Sequence, residues 1–272
     1  MRKWKIGISS VDEAPDTAPL LLKGSVEENL RKAKELGYDA IEIHTRENVD
    51  WDMDAIRSCM AKTGIEISQI ITGRLNTEGG CSLIDDRPYV EKACVEGMKT
   101  YIDMASELGA GIVIGWGRGN PPAGKSRELY RRRLARNLKI LNDYGKEKNV
   151  RINIEVINHY EMVFFTTCAE TAAFIDEFGL DNCFIHLDTY HMQLEENNMA
   201  EAVRQAGDKL GYVHIADSQR WYPGSGEMRF EPIFEALSQV GYKGYVTVEC
   251  FPKGDNELTA RKAIEYLDRV IG

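Results

Sequence analysis

Short apolar runs alternate with longer helical patterns eight times along this 272-residue chain. The runs are WKIGIS (4–9), DAIEIH (39–44), IEISQIIT (65–72), GIVIGW (111–116), RINIEV (151–156), CFIHLD (183–188), YVHIAD (212–217) and GYVTVEC (244–250). Helices are predicted near Ser25–Leu36, Asp52–Lys62, Pro88–Leu108, Ser126–Lys148, Cys168–Phe178, Met199–Lys209, Pro232–Val240 and Asn256–Ile271. Ser25 followed by Glu28 fits a capping box, and Gly37 fits a helix stop. Such alternation requires parallel strands joined by helical crossovers. Eight units in about 250 residues predict an α/β fold of the (β/α)8 barrel type. The competing open sheet lacks a glycine-rich dinucleotide fingerprint after its first strand. No linker or composition break appears, so residues 1–272 are expected to form one domain.

Strand parity then selects a site. Successive residues of a strand point to opposite faces. In the last four runs, Ile152, Ile154, Ile185, Leu187, Val213, Ile215, Val246 and Val248 form one aliphatic face, suited to packing against helices. The opposite face carries Glu155, Asp188, His214 and Glu249, all near the carboxyl ends of neighbouring strands. Barrel enzymes build their sites at that end. Three carboxylates gathered there would repel one another, because each like charge raises the cost of ionising the next. A divalent cation removes the penalty. Three oxygens and one imidazole nitrogen suit Mn²⁺ or Co²⁺ best, with Mg²⁺ or Zn²⁺ as alternatives. Taken singly, each residue is an ordinary polar group at a strand end; the four together predict a metal site.

The formal net charge of −9 gives a field that repels nucleic acid and anionic membrane, so neither is expected as a partner. No stretch approaches the roughly 18–20 apolar residues of a membrane span. MRKWKIGISS has no apolar run of signal-peptide length, and the six cysteines form no CxxC pair. A cytoplasmic protein with reduced thiols is therefore expected.

The segments IEVINHYE, HLDTYHMQLEE, VHIADSQRWYPGSGE and VTVECF resemble those of the xylose-isomerase-like TIM barrels. Within that superfamily they are most similar to the ketose 3-epimerases of the D-tagatose/D-psicose type. The resemblance covers most of the second half; in the first half it is limited to the barrel rhythm and ELGYDAIEIH. It implies metal-dependent epimerisation of a ketose or ketose phosphate at C3 through a cis-enediolate. Glu155, Asp188, His214 and Glu249 match the metal ligands, and Glu155 and Glu249 also match the acid/base pair on opposite faces of the sugar. The C3 proton is too weakly acidic for a carboxylate unless the developing oxyanion is stabilised, which is why a cation is needed. Glu161, His191 and Arg220 match substrate contacts, against the plainer readings of a loop acid, a loop histidine and a surface ion pair. The partner implied is a small sugar or sugar phosphate, and the assembly a homodimer or homotetramer. An aldose–ketose isomerase, an inosose-type dehydratase and a sugar-binding barrel without turnover are the alternatives. A multi-metal phosphodiesterase is disfavoured by the five histidines and the acidity.

Several further residues carry two readings. Glu42 and His44 project inward as pocket lining or as a buried polar pair. His186 reads as a hydrogen-bonded interior histidine, and Cys250 should face the helices. Trp116 and Trp221 sit on site-end loops, to cover a sugar or to pack the rim. Arg118 and Lys125, among glycines, are expected to contact a phosphate if the substrate has one. Gly119–Ser126 matches GxxxxGK[ST], but a proline pair interrupts it and no nucleotide role is expected.

Overall fold

The computed structural model describes residues 2–271. Eight parallel strands run in chain order: β1 (Lys5–Val11), β2 (Ala40–His44), β3 (Glu66–Ile71), β4 (Gly111–Ile114), β5 (Ile152–Glu155), β6 (Cys183–Asp188), β7 (Leu210–Ile215) and β8 (Tyr245–Val248). Each pairs with the next, and β8 returns to β1 with Ile6 opposite Val246. The sheet is thus a closed (β/α)8 barrel. A two-residue strand, Leu22–Lys23, pairs in parallel with Ser10–Val11 at the end of β1, beyond its pairing with β8.

The helices behind the strands are α1 (Val26–Leu36), α2 (Met53–Thr63), α3 (Pro88–Leu108), α4 (Arg127–Glu147), α5 (Cys168–Glu177), α6 (Met199–Ala206), α7 (Glu231–Gln239) and α8 (Asn256–Ile271). The capping box at Ser25 and Glu28 is present, and Gly37 ends α1 with φ +88°, where a side chain would be strained. α6 stops three residues earlier than the pattern suggests; Gly207–Lys209 continue as a 3₁₀ turn.

The outward aliphatic face of β5–β8 is buried against the helices in one continuous core, and Cys250 joins it. Burying each such side chain stabilises the fold by about 1.5–3 kcal/mol. The barrel interior is different in kind. Ser68, Tyr212, Thr247 and Glu42 meet there through hydrogen bonds. Two bulges shape this interior, with Ser68 and Gly211 as the extra residues of β3 and β7. Bulges re-aim the side chains beside them, and here the neighbours are Glu42, His186 and Tyr212.

Short helical turns follow four of the strands: Gly73–Thr77, Trp116–Arg118, Thr189–Glu195 and Ser218–Arg220. They shape the loops at the carboxyl end of the barrel. Among the described residues, no helix is long and apolar enough to cross a membrane, and all six cysteines are free.

Candidate active site

A cavity of about 520 Å³ opens at the carboxyl ends of the strands. Its wall includes Glu155, Glu161, His191, His214, Arg220 and Glu249, so six of the seven residues singled out above reach it. The seventh, Asp188, is fully buried, next to Arg220 and His191.

Glu155 ends β5 and Asp188 ends β6; Glu249 follows the last residue of β8. Ligand atoms of Asp188, His214 and Glu249 all lie within 4.8 Å of one another. Those of Glu155, Asp188 and His191 do so as well, as do those of Glu155, His186 and His214. Glu155 needs room to enter: a Cβ on Gly115 would stand 2.5 Å from its Oε2.

The charges are strongly coupled. Burial, then the Glu249 carboxylate, pushes the Glu155 carboxyl up to about 8. Burial also raises Asp188, partly opposed by Arg220. For Glu249, burial acts upward too, but Arg220 and His214 outweigh it and hold the carboxyl well below its ordinary value. Arg220 Nη2 donates to Glu249 Oε2 and lies 3.4 Å from Asp188 Oδ2. Its guanidinium rests 4.9 Å from the centre of the Tyr190 ring.

His214 shows which of its nitrogens is available. Nε2 lies 2.7 Å from Glu42 Oε2. Glu42 is held below its ordinary value, because the two neighbouring histidines, His214 foremost, outweigh the upward push of burial. An ionised carboxylate only accepts, so Nε2 carries the proton. Nδ1 is buried without a hydrogen-bond partner and faces Glu249 Oε2 at 3.5 Å. Burial disfavours a charged His214 ring, but Glu42 and Glu249 outweigh it and hold the ring well above its ordinary value. A divalent cation would take the place of the Nδ1 proton, and with the three carboxylates that nitrogen completes a donor set. The residues present fit such an ion.

The chain matches the model of the xylose isomerase-like TIM barrel family over residues 30–270. It belongs to that family. It is 37% identical over 226 residues to an L-ribulose 3-epimerase of Methylomonas sp. (strain DH-1), covering 80% of this chain and 76% of the relative. It is 32% identical over 265 residues to an L-ribulose 3-epimerase of Mesorhizobium japonicum, covering 96% and 86%. The crystal structure of a Methylomonas D-allulose 3-epimerase in complex with D-allulose superposes with a TM-score of 0.82 at 28% identity, over 99% of this chain and 98% of that one. This xylose isomerase-like barrel is therefore an enzyme of the isomerase and epimerase class.

The remaining predicted residues, Glu161 and His191, are held in place on the cavity wall by their neighbours. Trp116 Nε1 donates to Glu161 Oε2 at 3.0 Å, and Asn158 Nδ2 donates to Glu161 Oε1 at 2.9 Å. Asn158 Nδ2 is also 2.7 Å from His191 Nδ1. That contact turns His191 Nε2 toward Asp188 and Glu155, at 3.8 and 3.9 Å. Asn158 was not apparent in the sequence; its position three residues before Glu161 was the available signal. Asp217 is a second such residue. Its carboxylate accepts from the backbone N–H groups of Ser218, Gly224 and Met228 and ties down the loop that carries Arg220. Gln219 and Arg220 there have φ +61° and +60°, conformations that non-glycine residues hold only when the surroundings impose them.

Two expectations need correction. Arg118 does not face an anion. It is fully buried, and its guanidinium donates to the carbonyls of Gly115 and Phe164, joining two site loops. Burial lowers it to about 10. His186 is interior, as read, but neither ring nitrogen has a hydrogen-bond partner; it packs edge-on to His214 with centroids 4.2 Å apart. Of the two tryptophans, Trp116 lines the cavity, whereas Trp221 packs edge-on against Phe251 at the rim.

Proposed function

We propose that this enzyme epimerises an uncharged ketose at C3. The observation that carries the reading is the pair Glu155 and Glu249, two inward carboxyls on the cavity wall, each clustered with His214. Chain relatives named as ketose 3-epimerases support the choice of carbon. A divalent cation held by Glu155, Asp188, His214 and Glu249, with Mn²⁺ or Co²⁺ best suited to these donors, would stabilise negative charge developing on the substrate's oxygens.

The side chains then divide the work. One of Glu155 and Glu249 takes the C3 proton while the other delivers a proton to the opposite face, through a cis-enediolate. The Arg220 guanidinium, beside both Asp188 and Glu249, holds a substrate oxygen near the reacting carbons. Glu161 and His191 hold hydroxyl groups, each oriented by Asn158. Trp116, 41% exposed at the rim, covers one face of the sugar.

The charge of the wall speaks against a phosphate ester. The cavity presents Glu13, Glu78, Glu155, Glu161 and Glu249. The charge of its two guanidiniums is already balanced, Arg74 by Asp12 and Glu78, Arg220 by Asp188 and Glu249. Apart from the proposed metal ion, a phosphate dianion would meet an acidic wall with no unpaired lysine or arginine among the described residues. The test is product analysis by NMR. The Mn²⁺-loaded enzyme is incubated with free ketopentoses and ketohexoses, L-ribulose and D-allulose among them, and with their terminal phosphates. The expected result is the C3 epimer from free sugars, with kcat/KM at least about tenfold lower for the phosphates. Preference for a phosphate, or an aldose product, would overturn the reading.

A further inference from the structure

Glu42 lies on β2, and its carboxylate is fully buried in the barrel interior. It is not among the residues that match the family's ligands or substrate contacts. Its surroundings are specific. Oε2 is 2.7 Å from His214 Nε2 and accepts from the Tyr212 hydroxyl at 3.0 Å. That hydroxyl is itself 2.6 Å from Thr247 Oγ1. Oε1 is 3.4 Å from His44 Nε2, and the same nitrogen is 3.5 Å from Glu249 Oε1. The carboxylate thus touches one histidine of the proposed cation site and stands one residue away from Glu249.

An imidazole has two nitrogens, and a partner on one fixes the state of the other. When the ring gives up one proton to ligate a cation, an Nε2–H held by Glu42 at 2.7 Å leaves the lone pair on Nδ1, the atom that faces Glu249. A carboxylate behind a ligating histidine also makes the ring a stronger donor. We propose that Glu42 is a positioning residue: it fixes the tautomer and orientation of His214, so that Nδ1 is presented to a divalent cation. The proposal rests on the cation reading given above.

The test compares Mn²⁺ affinity of wild-type and Glu42→Gln protein, measured from the EPR signal of free Mn²⁺ during titration. Glutamine keeps the shape and removes the charge. Loss of an outer carboxylate partner lowers metal affinity about 10–100-fold, and a loss of that size is expected here. A second readout is the long-range ¹H–¹⁵N spectrum of the Zn²⁺-loaded protein, in which His214 of the wild type should appear as the Nε2–H tautomer. Glu42→Asp, which keeps the charge at a shorter reach, should recover part of the affinity and replaces the glutamine variant if that one does not fold. In a His214→Gln background, Glu42→Gln should cost no further affinity. A Glu42→Gln affinity within about twofold of wild type, or a wild-type His214 protonated on Nδ1, overturns the proposal. Wild-type protein that binds no Mn²⁺ at all contradicts the cation reading itself, so the two failures are distinguishable.

Discussion

Replacing either Glu155 or Glu249 by glutamine is expected to lower kcat/KM for C3 epimerisation by at least about 10³-fold, with the barrel still folded. General acid–base catalysis by a positioned side chain contributes about 10²–10⁴-fold, and an amide cannot carry the proton. Each variant also weakens a ligand, so the loss falls at the upper end of that range. The fold should survive because neither carboxyl belongs to the aliphatic core between strands and helices. In Glu155→Gln, removing a carboxyl that burial and Glu249 push up to about 8 relieves repulsion, so the metal-free unfolding midpoint should hold or rise. In Glu249→Gln, Arg220 keeps Asp188 as a neighbour at 3.4 Å. Product NMR and thermal unfolding followed by circular dichroism check both halves. A variant within about tenfold of wild type would remove that residue from the acid/base pair.

The second large effect comes from chelation. Exhaustive treatment with a strong chelator should abolish turnover, and added Mn²⁺ or Co²⁺ should restore it. The same treatment should lower the unfolding midpoint. A ligand present at 100 times its dissociation constant stabilises the folded state by about 2.7 kcal/mol. At about 2–4 °C per kcal/mol for a chain approaching this size, the midpoint should fall by roughly 5–10 °C. The physical cause is the cluster itself: Glu155 and Asp188 are both raised by burial and carry like-charged neighbours. Differential scanning calorimetry with and without Mn²⁺ measures the shift. Equal midpoints and undiminished turnover after chelation would contradict the cation site.

The eight-unit rhythm was legible because apolar period and helix stops recur along the whole chain. Period-two parity also located Glu155, Asp188, His214 and Glu249 on the inner face, since a strand leaves a side chain only two directions. What parity cannot report is contact across the barrel. Glu42 and His214 are 172 positions apart, and nothing in either segment announces their 2.7 Å contact. Asn158 and Asp217 escaped notice for a related reason: both act by organising loops, through neighbours that only the folded chain supplies. The short turns at Gly73–Thr77 and Thr189–Glu195 are too brief to show a helical period. Arg118 was misread because an arginine among glycines has the composition of an anion site, while the chain path buries it against two carbonyl oxygens.

If two carboxyls work on opposite faces of one carbon, C3 epimerisation in D₂O must bring solvent deuterium into the product at C3. Mn²⁺-loaded enzyme is given a protiated ketose substrate in D₂O, and the product is analysed by NMR and mass spectrometry at low conversion. With Glu155 and Glu249 on opposite faces, the proton removed is not the one returned. One deuterium is expected at C3 of the product, with C3 unlabelled in the substrate still present. Product that retains its C3 hydrogen, or that carries the label at C1, would contradict this mechanism.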